Sequence, residues 1–109
     1  MDAAADAALY TRFVLKDGDS FLVANSYGNM ADPGEGFFVN DTRIVSRYRL
    51  RLGGDDATLL SAAVTQDNVL FVAHLTNRAL SPLDEVGTPQ GLIHVSRHRF
   101  LCQERMYER

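Results

Sequence analysis

The stretch FVLKDGDSFLVA, residues 13–24, places two apolar runs on either side of the pair Asp17-Gly18. An Asp-Gly pair between β-prone runs is the strongest short-range signal for a hairpin, because tight hairpin turns need positive φ angles that few other residues tolerate. Residues 13–15 and 21–24 are therefore predicted to be paired antiparallel strands.

Short strands separated by turn residues are predicted along the rest of the chain. Residues 44–52 alternate between uncharged side chains and a face rich in arginine, which predicts one continuous strand. Residues 69–76 are apolar on both faces, as expected for a strand inside a two-layer stack. Further strands are predicted at 36–39, 58–65 and 92–102. The pattern predicts an all-β fold, an antiparallel β-sandwich domain over residues 12–109, with under about a fifth of the chain in helix.

The two ends of the chain are expected to differ from this pattern. The first residues read MDAAADAAL, and residues 1–11 are predicted to be a mobile or short helical extension. The last residues, 103–109, read QERMYER and contain no turn or stop signal. We therefore expect the sandwich to be incomplete at its C-terminal end and the chain to be the N-terminal segment of a longer one.

Composition excludes several classes of function. The net charge is -3 and the isoelectric point is near 5.5, so the surplus of positive charge that a nucleic-acid binder needs is missing. Cys102 is the only cysteine, which excludes an intramolecular disulfide. No apolar stretch approaches the ~20 residues of a membrane helix, and no secretory signal opens the chain. A cytoplasmic location is predicted, with no nucleic acid, membrane or cofactor as a partner.

No catalytic residue is predicted. Hydrolysis of a glycosidic bond needs two carboxylates that face each other across the sugar, roughly 5 to 9.5 Å apart. The acidic residues lie mostly in turn sequences, where short polar side chains support the turn and its solubility. Asp32 and Glu35 share one loop, but nothing in the sequence fixes their positions. For stacking on a sugar ring, Tyr27 in a glycine-rich loop is the aromatic residue predicted to be exposed.

His94, His98 and Cys102 recur at every fourth position and raise the question of a metal site. On a strand with a rise of ~3.3 Å per residue, neighbours in this series lie about 13 Å apart. One ion with ligand bonds of ~2 Å cannot span that distance. The β-prone residues around them favour a strand, so no metal site is predicted, and His74 is interpreted as a histidine that packs within a sheet.

The tripeptide Asp41-Thr42-Arg43 lies between an apolar strand and the alternating stretch. Asp41 could accept hydrogen bonds from the backbone amides that follow it, and Arg43 could pair with a carboxylate. Two interpretations stay open. The tripeptide is either a corner that fixes the path of the chain into the next strand, or a loop presented to a substrate or to a partner domain.

The run GFFVNDTRIVSRYRL, residues 36–50, resembles a signature of the N-terminal domain of bacterial glycogen debranching enzyme-like proteins, the amylo-α-1,6-glucosidases. LKDG at 15–18, LLS at 59–61 and RHR at 97–99 are similar as well. The resemblance implies a β-sandwich that precedes an (α/α) barrel, and a barrel that carries the catalytic carboxylates. Asp41, Thr42 and Arg43 match motif positions, but the resemblance transfers no catalytic residue to this chain.

Arginines on one side of the predicted strand 44–52 suggest how such a sandwich would contact its barrel. Guanidiniums at alternate positions repel each other and suit bidentate contacts with carboxylates. Two interpretations remain open. The side chains form a solvated outer face, or Arg47, Arg49 and Arg51 dock the sandwich onto the downstream catalytic domain of the same chain.

Three functions are compatible with these observations. The first is a non-catalytic N-terminal domain of a debranching-type glycoside hydrolase, unable to hydrolyse sugar by itself, with α-glucan as a candidate partner of the full-length protein. The second is an autonomous polysaccharide-binding module. The third is a free-standing oligomeric β-protein.

Overall fold

A computed structural model describes residues 11–52, 55–77 and 91–109. Within these ranges every regular element is a β-strand, and no helix that could span a membrane is present. The all-β prediction is confirmed, whereas the predicted N-terminal extension lies outside the described residues except for Thr11. The strands are β1 (Arg12–Asp17), β2 (Ser20–Asn25), β3 (Gly36–Val39), β4 (Thr42–Val45), β5 (Arg51–Leu52), β6 (Asp55–Asp56), β7 (Thr58–Val64), β8 (Leu70–Thr76), β9 (His94–Cys102) and β10 (Arg105–Glu108).

The first sheet has the strand order β1-β2-β3-β4, and all of its neighbours are antiparallel. The predicted hairpin is confirmed, with Asp17 opposite Ser20 and a two-residue turn between them. The turn between β3 and β4 consists of Asn40 and Asp41, whose φ angles are 49° and 65°. Positive φ at both positions matches the twist of the flanking strands.

The second sheet has the order β10-β9-β8-β7 and is also antiparallel. Its last hairpin turns through Gln103 and Glu104, which have φ angles of 51° and 61°. Residues 103–109, read from the sequence as an unfinished end, thus contain a turn and the strand β10. Neither glutamine nor glutamate is a typical residue for such a turn, and this explains why the sequence carried no signal for it.

The hydrophobic core lies between the two sheets. β1 contacts β7, β8 and β9, and the ring of Phe13 in β1 lies 5.4 Å from that of Phe71 in β8. Burial of a large apolar side chain contributes about 1.5–3 kcal/mol, which makes this contact area the main stabilising term. The other buried apolar residues are Leu15, Leu22, Ala24, Tyr27, Met30, Phe37, Ala57, Ala73, Leu75 and Leu101.

The prediction of one continuous strand over residues 44–52 is wrong. β4 ends at Val45, and the chain resumes strand structure only in the two-residue β5. Between them, Tyr48 forms two backbone hydrogen bonds of 2.8 Å with Met30, one as donor and one as acceptor. The predicted faces hold for Leu50 and Leu52 but are reversed at the start of the stretch, where Ile44 is exposed and Val45 packs against the core. The hydrogen-bonding partner changes from β3 to Met30 and then to β6.

Candidate functional site

An open groove lies at one end of the first sheet, where two hairpin turns meet. Because β2 and β3 are antiparallel neighbours, the β1–β2 turn and the β3–β4 turn lie at the same end. The backbone N–H of Asn40 donates a hydrogen bond of 3.2 Å to the carbonyl oxygen of Asp19, which joins the two turns. The groove has a volume of ≈ 490 Å³ and is lined by Lys16, Gly18, Asp19, Ser20, Phe21, Asn40 and Asp41.

A row of side chains crosses the outer face of the first sheet and borders this groove. Cross-strand pairing places Lys16 beside Phe21, Phe21 beside Phe38 and Phe38 beside Arg43. The rings of Phe21 and Phe38 stack with their centroids 4.5 Å apart and their planes 9° apart. The guanidinium carbon of Arg43 lies 5.6 Å from the centroid of the Phe38 ring, within cation–π range. We call these four residues the cation–aromatic row.

The tripeptide Asp41-Thr42-Arg43 contributes to both features. Asp41 occupies the second turn position, and its exposed carboxylate forms no hydrogen bond with another described residue. The corner is therefore set by the positive φ angles of the turn, which Asp tolerates, and not by side-chain bonds to the following amides. Arg43 contacts an aromatic ring instead of a carboxylate. Whether the tripeptide contacts a substrate or a partner domain stays a prediction.

The groove offers several polar groups that are free to bind a ligand. Asp19 and Asp41 supply carboxylate acceptors, Asn40 supplies a donor and an acceptor, and Lys16 supplies donors. None of these four side chains is paired with another described residue. Ser20 also lines the groove, and its buried hydroxyl has no hydrogen-bond partner in the described part of the chain. The exposed acids lack the apolar pocket or crowded like charge that a catalytic acid needs.

A second polar site is buried on the core face of the second sheet. Arg97 and Arg99 project from alternate positions of β9 and are 3% and 0% exposed. The Oε1 atom of Glu108 in β10 accepts hydrogen bonds from the Nε atoms of Arg97 (3.0 Å) and Arg99 (3.1 Å). The negative charge of one carboxylate thus lies against the positive charges of two buried guanidiniums. We call Arg97, Arg99 and Glu108, together with Tyr48 described below, the buried ion network.

The two arginines also join the second sheet to the loop between β2 and β3. Nη1 of Arg97 donates to the carbonyl oxygen of Tyr27 (2.9 Å) and to Oδ1 of Asn29 (2.8 Å). Nη2 of Arg99 donates to the carbonyl oxygen of Gly28 (2.7 Å). Carbonyl groups in a buried loop need such donors, so the arginines satisfy the loop while the loop solvates the arginines.

Tyr48 covers the network from the solvent side. Its hydroxyl donates a hydrogen bond of 2.8 Å to Oε2 of Glu108. The guanidinium carbons of Arg97 and Arg99 lie 5.8 and 5.4 Å from the centre of its ring. The interruption of the predicted strand 44–52 therefore has a structural reason, because the pairing of Tyr48 with Met30 places this ring over the two cations.

The network keeps the charge states that it requires. Burial by itself would raise the pKa of Glu108, but the charges of Arg99 and Arg97 and the hydrogen bonds of Arg97 and Tyr48 outweigh it, so the pKa lies below the ordinary 4.5. Burial lowers the pKa of Arg99, and the hydrogen bond to Glu108 raises that of Tyr48. Because the Glu108 carboxylate is ionised and fully engaged, the network is suited to holding the sheets together and not to transferring a proton.

The arginines predicted to dock a partner domain are separated by the structure. Nη2 of Arg49 lies 2.8 Å from Oδ1 of Asp56, and Nε of Arg51 lies 3.9 Å from the same atom. Arg47 is exposed and forms no ion pair with a described residue. The charges of Arg49 and Arg51 are thus paired with a carboxylate within the domain. Arg47 has no such partner among the described residues and could contact another domain.

Two sequence-based interpretations of the loop after β2 are now resolved. The prediction that Tyr27 is exposed and could stack on a sugar is wrong. Tyr27 is 9% exposed and belongs to the core. Asp32 and Glu35 do lie close together, since the guanidinium of Arg12 contacts both of them at 3.4 and 3.0 Å. Glu35 also accepts hydrogen bonds from the backbone amides of Ala31 and Asp32. This arrangement braces the loop.

His94, His98 and Cys102 lie on one strand, as predicted, and point to the outer face of the second sheet. Within the described ranges no group of three or more metal-ligating side chains is present. His74 stacks on His94, with 3.2 Å between its Nδ1 atom and Nε2 of His94, and it lies 3.1 Å from the Ser96 hydroxyl. These partners could not be inferred from the sequence, because they depend on the register of β8 against β9.

Residues 15–109 match the family model described as the N-terminal domain of (some) glycogen debranching enzymes. The matched segment includes every residue of the groove and of the buried ion network. Searches of curated proteins and of solved structures each found no match. The resemblance inferred from the run at residues 36–50 is confirmed by the family match.

Proposed function

Since the chain belongs to the family of N-terminal domains of glycogen debranching enzymes, we propose that it is the non-catalytic β-sandwich of an amylo-α-1,6-glucosidase-type glycoside hydrolase. In this proposal it packs on a downstream (α/α) barrel that supplies the catalytic carboxylates. The cytoplasmic location inferred from the composition stays a prediction.

The observation that carries this proposal is the family match over residues 15–109. The state of three of the acidic residues supports a non-catalytic role. Glu108 is held by two arginines, Asp56 by Arg49, and Glu35 by Arg12. These carboxylates serve ion pairs and loop bonds, whereas glycoside hydrolysis needs a pair of carboxyl groups that face a sugar from both sides.

The outer face of the second sheet favours contact with another domain. Strand register places Leu70 beside Phe100 and Phe100 beside Tyr107. The two rings stack at 4.9 Å, and the residues remain 42% and 40% exposed. Val72 lies on the same face, and no acidic residue of the described strands does. We call Leu70, Val72, Phe100 and Tyr107 the apolar band. Exposed apolar surface of this kind is typical of interaction sites.

Arg47 is a second candidate contact with the barrel. Because Arg49 and Arg51 share Asp56, the docking hypothesis now rests mainly on Arg47, whose guanidinium has no counter-ion among the described residues. An acidic residue of the barrel would be a suitable partner, since Arg forms bidentate contacts with carboxylates. Contacts between domains of one chain are often polar and moderate in area, which suits a charged contact at Arg47.

The proposal is tested by calorimetry on the full-length protein. If the sandwich packs on the barrel through the apolar band, Phe100→Ser should separate one cooperative melting transition into two, because the domains lose their coupling. Ile44→Ser is the matched control, because Ile44 is a 58% exposed apolar residue of the first sheet. Arg47→Glu, measured beside them, tests the charged contact.

Unchanged melting of both Phe100→Ser and Arg47→Glu would refute the packing. In parallel, the 109-residue chain should release no glucose from branched α-glucan, whereas the full-length protein should. Glucose release by the short chain that disappears when one of its own carboxylates is replaced would overturn the non-catalytic assignment.

A further inference from the structure

We propose that the groove between the two hairpin turns is a binding subsite for a neutral glucan chain. Phe21 would form the stacking surface, and Asp19, Asn40 and Asp41 would bind the hydroxyl groups. The inference deepens the proposed function and rests on it only for the choice of a glucan among polysaccharides. The groove chemistry itself is independent of any contact with a barrel.

The composition of the groove suits a sugar. A pyranose ring has a flat face of C–H groups and a rim of hydroxyls that both donate and accept hydrogen bonds. An aromatic ring presents a negative face that attracts the slightly positive C–H groups, and it gains from apolar burial. Phe21 is the aromatic residue that lines the groove, while the carboxylates and the amide around it are acceptors and donors without other partners.

The stacking surface is held in place before a ligand arrives. Phe38 stacks on Phe21, and Arg43 lies over Phe38. The side chain of Arg43 is held in turn by its packing on Gly36, where a Cβ atom would lie 3.2 Å from its Cγ. A ring that is already fixed loses little conformational entropy on binding. Arg43 is therefore a positioning residue, so two residues of the motif take part: Asp41 lines the groove, and Arg43 supports the stacked rings behind Phe21.

The charges of the groove favour a neutral ligand. One cationic side chain, Lys16, and two anionic ones, Asp19 and Asp41, line it. An anionic ligand would meet more negative than positive charge, and a cationic one would compete with Lys16. A sugar hydroxyl can bind to either kind of group, because it is both a donor and an acceptor.

The test is a titration of the 109-residue chain with maltoheptaose, followed by amide chemical shifts. We expect saturable shifts at Gly18, Asp19, Asn40 and Asp41. Asp41→Gly removes the carboxylate but not the turn, because glycine accepts the φ angle of 65°. Loss of a hydrogen bond to a charged group should weaken binding by about tenfold. Phe21→Ala should weaken it by a similar factor, about tenfold, through the lost stacking.

Glu104→Gly is the matched control, since Glu104 has the same place in the β9–β10 turn, a φ angle of 61° and an exposed carboxylate. It should bind maltoheptaose like the parent chain. Equal weakening by Asp41→Gly and Glu104→Gly, shifts confined to another surface, or no saturable shift would overturn the subsite. Because this titration contains no barrel, its failure is distinct from a failure of the packing experiment on the full-length protein.

Discussion

Replacement of Glu108 by glutamine is the sharpest test of the buried ion network. Glutamine keeps the size of the side chain and removes its negative charge. Two guanidiniums, 3% and 0% exposed, then remain buried without a counter-ion. Removal of one partner of a buried ion pair costs about 3–5 kcal/mol. Because the side chain of Glu108 is 17% exposed, we expect the lower end of this range, about 3 kcal/mol.

Urea denaturation at neutral pH measures this loss. A domain of this length has a total free energy of unfolding of about 5–15 kcal/mol, so the variant should remain folded but lose a large share of its stability. With a urea dependence of about 1–2 kcal/mol per M, the midpoint should fall by about 1.5–3 M. The slope should stay the same, because the surface exposed on unfolding does not change.

Glu104→Gln is the control for this measurement, because Glu104 is an exposed glutamate of the same hairpin and has no partner among the described residues. Its effect should be within about 0.5 kcal/mol. A loss below about 1 kcal/mol for Glu108→Gln would show that the two arginines do not depend on this carboxylate. The buried positive charges of the two arginines would then have to be stabilised by the loop carbonyls alone.

Two further predictions concern stability. The pKa of Glu108 is held below 4.5 in the folded chain, so the unfolded state takes up a proton first as the pH falls. The stability that this group contributes is therefore fully present above about pH 4.5. It is lost as the pH falls through the pKa of the folded state. The urea midpoint should therefore drop between pH 7 and pH 3, and drop less in Glu108→Gln; equal drops would contradict the assignment. Gly36→Ala would place a Cβ atom against the carbonyl oxygen of Val45 and should cost about 1–3 kcal/mol. Gly34→Ala, where no atom lies within 4 Å at a φ of 88°, isolates the cost of the φ angle, and an equal loss in both variants would refute the clash.

Local sequence was sufficient for the first hairpin and insufficient for the last. Asp17-Gly18 predicts its turn because glycine tolerates the positive φ angle of 57° that Gly18 adopts there. The turn at Gln103 and Glu104 has positive φ angles at both positions, as the β3–β4 turn does, but without favourable residues. Arg99 pairs with Glu108 across this hairpin, and a local pattern cannot show such a contact.

The candidate sites depend on contacts between distant residues. Arg97 binds the carbonyl of Tyr27, 70 positions away in the sequence. The groove exists because the register of β2 against β3 brings two turns together. One signal was available, however, and was not used. Arg97 and Arg99 share the face of β9 that carries Val95 and Leu101, so the period of two would have indicated that both arginines point into the core.

The position of Glu108 defines where this domain can be divided in recombinant work. A boundary after Cys102, where β9 ends, would retain both arginines and the loop that receives them, but it would remove the strand that carries their counter-charge. A piece ending there would contain the whole first sheet and still lack the means to bury Arg99 at an acceptable cost. A fusion partner or linker must therefore begin beyond Glu108, however complete the shorter piece looks by its count of strands.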